Sequence, residues 1–214
     1  MSSETVTATA GAHEAEHHEH YDPVAGKIGM WLFLFTEVLL FGALFIAFAM
    51  YLKLYRFEFM ETSGHLDRLM GATNTVVLLT SSLTMALAIA SLARGKKRQS
   101  YGLLWATIGF AVVFLIIKSF EWGAKFSHHI YPSSAEMLKK PVGEQVFYGL
   151  YFTMTGLHAL HVIIGAVLIL FAMTFMAKGK IRPDRIGFLE NAGLYWHLVD
   201  LVWIFLFPLF YLIG

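Results

Sequence analysis

The chain has 214 residues, of which 57% are hydrophobic and 14% charged, with 19 Phe, 10 Met, 5 Trp and no Cys, whereas soluble domains carry about a quarter charged residues. That balance points to a membrane protein, and the missing cysteine excludes a disulfide framework, thiolate-held iron–sulfur clusters, a thiolate-containing copper centre and a thioether-attached haem. A formal net charge of +1 with no basic stripe speaks against a nucleic-acid partner.

In chain order, the stretch MSSETVTATAGAHEAEHHEHYD comes first, with five acids, four histidines and no apolar run of a signal peptide. Residues 1–26 therefore read as a solvated polar tail. HEAEHHEH could chelate a divalent cation, but a flexible polar tail is the commoner use of such a run, and no metal site is assigned to it.

Residues 27–214 read as one transmembrane domain. A hydrocarbon core of about 30 Å requires roughly 20 apolar residues as helix. Five intervals between charges meet that length, with spans expected at about 28–52, 72–93, 101–120, 146–177 and 190–213. Barrel strands would alternate apolar and polar residues, yet LLWATIGFAVVFLII is apolar on every face. The expected fold is an all-α integral membrane protein, a bundle of five transmembrane helices. The odd count and the absence of an internal repeat disfavour inverted-repeat transporters.

Five spans put the two ends on opposite faces. Lys27, the turn RGKKR and the loop with Lys178, Lys180, Arg182 and Arg185 place 9 Lys and Arg on the N-terminal side, against 7 on the other. The nine are packed into short turns, so the positive-inside rule makes the N-terminus cytoplasmic. A long loop from Lys118 to Glu144 then faces outward, and His128 and His129 within it read as surface residues and not as copper ligands.

Ionisable groups inside spans are costly and mark function or helix packing. Here they are Glu37, His158, His161, His197 and Asp200. Glu37 lies about 15 Å from the Lys27 end and Asp200 about 15 Å from the Glu190 end, so both carboxyls fall near mid-bilayer. HLVD puts His197 three residues before Asp200 on one helical face, which makes it the expected partner, and Glu190 extends that polar stripe. The stripe reads either as an interhelical hydrogen-bond network or as a proton-handling or lipid-headgroup site. His158 and His161 also share a face, with Gly165 one turn on to admit a neighbouring helix. As haem ligands they lack a partner, because His161 lies roughly 24 Å and His197 roughly 10 Å from the same membrane face.

The stretches WLFLFTEVLLFGALFIAF, NTVVLLTSSLTMALAIASL, TGLHALHVIIG and FLENAGLYWHLVDLVWIFLFPLFYL together resemble subunit III of the haem-copper respiratory oxidases, over residues 27 to 214. The resemblance implies a subunit that carries no redox centre of its own and takes part in an enzyme only through its complex. It would pack on the catalytic subunit I, beside subunit II, with the haems and copper in those partners. Its role there would be to stabilise subunit I, hold phospholipid and support proton uptake. Glu37 matches the family's intramembrane carboxyl. His158, His161, Glu190, His197 and Asp200 match its other polar positions, implied to be lipid-binding or structural, and His158 and His161 are implied to be structural and facing lipid or a neighbouring subunit. Longer members have two further N-terminal helices, and the five-helix form implies a bacterial inner membrane. The leading expectation is a proton-pumping cytochrome c oxidase of aerobic respiration. The alternatives are a quinol oxidase or a relative associated with nitric oxide reduction, a haem b membrane anchor, and a proton channel built around Glu37 and Asp200.

Overall fold

The computed structural model describes residues 23–127, 129–132 and 134–214; the expected polar tail over residues 1–22 and His128 lie outside them. Five helices long and apolar enough to cross a membrane make up most of the described chain, as expected: α1 (Pro23–Leu54), α3 (Arg68–Ala93), α4 (Lys97–Ser127), α5 (Val142–Ala177) and α6 (Gly187–Tyr211). The short α2 (Arg56–Ser63) and a 3₁₀ turn at Met137–Lys139 lie between them, and the described residues contain no strand. Each long helix starts before its expected span, and α1 and α4 also end beyond theirs, because a charge does not end a helix when its head can reach water or a partner; α6 stops at Tyr211, short of the expected 213.

Helices α3 and α4 pack along their length, joined by a turn in which Gly95 takes φ +77°. Helix α6 lies against both α3 and α5, and α4 closes against α5, so these four enclose the core. Helix α1 touches only the outside of this group, chiefly α6 and α5. Its buried residues Leu34, Phe41 and Phe48 recur every seven positions, which makes one narrow stripe. Glu37 lies on that stripe, three residues after Leu34.

Aromatic side chains fill the end of the bundle nearest α2. Phe59 of α2 meets Phe48 and Phe147 edge-on, each at 5.3 Å, and Phe210 meets Phe48 at 5.0 Å, the geometry that aromatic quadrupoles favour. Asp67 caps α3, accepting from the backbone N–H of Leu69 and Met70 at 2.9 and 3.1 Å.

Gly165 serves the close approach expected of it. A Cβ there would lie 2.7 Å from Cε3 of Trp196, whose indole N–H donates to Ser81 Oγ at 3.1 Å. Gly165→Leu should therefore push α6 off α5 and cost about 1–3 kcal/mol, as overpacked cores do. A lower thermal midpoint of the detergent-solubilised protein is the expected reading, and an unchanged midpoint would show that Trp196 can swing aside.

Candidate functional site: polar groups inside the bundle

Glu37 and His161 are hydrogen-bonded across α1 and α5, with Oε2 of Glu37 2.8 Å from Nε2 of His161. The other ring nitrogen, Nδ1, is 2.7 Å from the Leu157 carbonyl oxygen. A carbonyl can only accept, so Nδ1 carries a hydrogen. One further proton then lies between Nε2 and the carboxyl, held by either group. Phe41 and Tyr195 wall the pair, with ring centroids 5.3 and 6.4 Å from the imidazole. Depth counted from Lys27 separated these two residues by about 9 Å. Helix α1 starts instead at Pro23, about 21 Å from Glu37, and His161 is about 24 Å from Ala177, so measured from the true helix ends the depths agree.

The expected pairing of His197 with Asp200 does not occur. His197 Nδ1 lies 2.6 Å from Ser82 Oγ on α3, and neither carboxyl oxygen of Asp200 has a hydrogen-bond partner among the described residues. Ser82 also lies close to Asp200, but no hydrogen bond joins the two. Two side chains on one helical face still diverge when a residue of the next helix captures one of them. Glu190 joins neither; it pairs with Lys27 at 3.5 Å, at the end of the bundle where α1 begins.

His158 is a second correction. It is fully buried between Phe114 and Trp203, at centroid distances of 5.5 and 5.2 Å, and faces neither lipid nor a neighbouring subunit. Neither ring nitrogen finds a partner among the described residues. His158 and His161 thus share a helical face but not an environment. No cluster of three or more His, Asp or Glu among the described residues is arranged to hold a metal ion.

The most complete polar cluster is one that sequence reasoning missed. Lys118 and Glu121 lie within α4, not in a loop, with side chains 4% exposed each and Nζ 3.0 Å from Oε2. Lys118 also donates to the hydroxyls of Tyr151 at 3.1 Å and Tyr211 at 3.0 Å. Both hydroxyls donate on to Oε1 of Glu121, at 2.7 and 2.6 Å. All three ammonium hydrogens are used, and the carboxylate accepts three bonds. The cation also sits 5.2 Å from the centre of the Trp203 ring. That indole donates to Thr75 Oγ1 at 3.1 Å, so the cluster joins α3, α4, α5 and α6. It lies about 31 Å along α4 from Lys97, at the far edge of a hydrocarbon core. The sequence signal was the opposite-charge pair three residues apart in KSFEW, read only as the end of a span.

A groove of about 490 Å³ opens between α1, α3 and α6, with Lys27, Trp31, Glu190 and Asn191 at one end and His197 deeper in. Ala86, Ile89, Ala90 and Leu194 give the rest of its lining an apolar surface.

The sequence model of the family described as cytochrome c oxidase subunit III matches residues 7–214. The "Heme-copper oxidase subunit I+III" of Aeropyrum pernix is 31% identical over 214 residues, 91% of this chain, which spans only 24% of that longer protein. The "Cytochrome bo(3) ubiquinol oxidase subunit 3" of Pseudomonas putida is 31% identical over 193 residues, 87% of this chain and 85% of its own. The "Cytochrome c oxidase subunit 3" of Thermostichus vulcanus is 27% identical over 200 residues, covering 93% of this chain and 92% of its own. Five membrane-length helices, polar groups paired inside the bundle and a match along nearly the whole sequence have one meaning: the chain belongs to the subunit III family of the haem-copper oxidases, which includes cytochrome c and quinol oxidase forms.

Proposed function

We propose that this chain is a non-catalytic membrane subunit of a proton-pumping cytochrome c oxidase in a bacterial inner membrane, with its N-terminus cytoplasmic. It stabilises subunit I, lies in one complex with subunit II, holds phospholipid and supports proton uptake, while the haems and copper reside in those partners. The observation that carries the proton part is the Glu37–His161 pair, which holds one exchangeable proton on the least enclosed helix. The bare apolar face of α1, with Trp31, Phe35, Leu39, Ile46 and Met50 exposed, suits contact with subunit I. The groove beside Lys27, Trp31 and Asn191 suits a phospholipid, with its headgroup by the lysine and its chains along Ile89 and Leu194.

A quinol-oxidising complex is the second reading, favoured by the similarity to the Pseudomonas putida protein.

The test is to purify the complex through a tag on this chain and record its reduced-minus-oxidised spectrum beside that of the chain alone. Oxidase haems in the complex and none in the lone chain are expected, with oxidation of reduced cytochrome c. Haem b bands in the lone chain would overturn the proposal, and oxidation of quinol alone would replace the donor.

A further inference from the structure

Buried polar atoms without partners are not scattered evenly through the bundle. Six of the nine such side-chain atoms among the described residues belong to Asn74 on α3, His158 on α5 and Asp200 on α6, two on each. All three side chains are buried, with residue exposures of 0%, 0% and 3%. Native cores leave few atoms in this state, because a polar group taken from water and given no partner costs free energy.

The three residues also share a depth. The Trp203 indole donates to Thr75 Oγ1 at 3.1 Å, which sets Asn74, the residue before Thr75, level with Trp203. Asn74 belongs to the buried stripe of α3 with Leu78, Ser81 and Met85, so its amide points into the bundle. The indole also packs on His158, at a centroid distance of 5.2 Å. Asp200 precedes Trp203 by three residues, about 4.5 Å, on the same face of α6. Three unpartnered side chains from three helices therefore lie within about one helical turn of one another in depth.

We propose that this layer is a water site, in which bound water joins Asn74, His158 and Asp200 across the core. The chemistry of the three selects water over an ion. The Asn74 amide and the His158 imidazole each bring a donor as well as an acceptor, and a metal cation serves acceptors alone. The Lys118 ammonium, 5.2 Å from the centre of the Trp203 ring, already places a positive charge beside the layer and opposes a second one. Water both donates and accepts, and a buried molecule makes about three hydrogen bonds. Solvent has a route to the layer. The groove between α1, α3 and α6 reaches His197, whose Nδ1 lies 2.6 Å from Ser82 Oγ, and Ser82 lies close to Asp200. Water in this place links α3, α5 and α6 through residues that make no direct bond, and the link stands whichever electron donor the complex uses.

The test is a cryo-electron microscopy map of the intact complex, purified through this chain and fine enough to show ordered water, for the wild type and for N74L. The wild type should show a peak within about 3.2 Å of polar atoms on at least two of the three residues, and N74L should lose it. A layer whose side chains bond one another directly, with no peak, would overturn the proposal. A peak held by oxygens alone at about 2.4 Å would be a cation and would overturn it as well. Thermal midpoints give a second reading. With water bound, N74L removes one of its partners and should lower the midpoint by roughly 2–4 °C. Without water, the same change removes an unpaired amide from the core, and a raised midpoint would count against the site. N74L/H158L should fall no further than the worse single variant, since either change releases the shared water; losses that simply add would mean two unconnected residues. Haem content per complex reports whether each variant assembles, and the wild-type map decides the matter if one does not.

Discussion

Lys118→Met should destabilise the protein by about 3–5 kcal/mol, the cost of leaving a buried charge without its partner. The substitution keeps most of the side-chain volume but removes three donors from Glu121, Tyr151 and Tyr211 at once. Glu121 would retain the two tyrosine hydroxyls, which do not neutralise it. The measurement is the thermal midpoint of the purified complex, together with retention of this chain during detergent washing. K118M/E121M should recover most of the loss, because two apolar groups of similar size replace an ion pair at little net cost. A double variant as unstable as the single one would show that the tyrosines need the pair itself, and a wild-type midpoint for K118M would remove the cluster from the account of stability.

The same cluster marks where sequence reading stopped. Apolar length located the five helices, since about 20 uncharged residues in succession have few other uses. Reading from charge to charge also turned most charges into boundaries, and so Lys118 was placed at a helix end. Its partners Tyr151 and Tyr211 come from helices far along the chain, and nothing local announces them. Glu37 and His161 were recognisable separately as ionisable groups within spans, but their pairing needs relative depth. That depth was misjudged by the four residues between Pro23 and Lys27. The His197–Asp200 expectation failed for a related reason. Spacing along one helix places two side chains on one face, but Ser82 of α3 decides which of them is bonded.

Glu37 separates a packing role from a proton-handling one. A glutamine at 37 can still reach Nε2 of a neutral His161, donating its amide hydrogen, so Glu37→Gln keeps the link between α1 and α5. Glu37→Ala breaks that link and should loosen α1 by about 1–3 kcal/mol, the cost of leaving the buried imidazole nitrogen without its partner. Both variants remove the exchangeable proton. If the pair supports proton uptake, both should begin turnover near the wild-type rate, because no redox centre is touched, and both should lose activity sooner during sustained turnover. The measurement is oxygen consumption by the purified complex over many turnovers, with haem content checked before and after. A wild-type lifetime for Glu37→Gln beside a short one for Glu37→Ala would assign the pair to packing alone. Loss of haem from either variant would place Glu37 closer to the catalytic subunit's cofactors than the proposal allows. His161→Gln sharpens the comparison, because it leaves the carboxyl in place but removes the ring that shares its proton. Its lifetime should therefore follow that of Glu37→Gln.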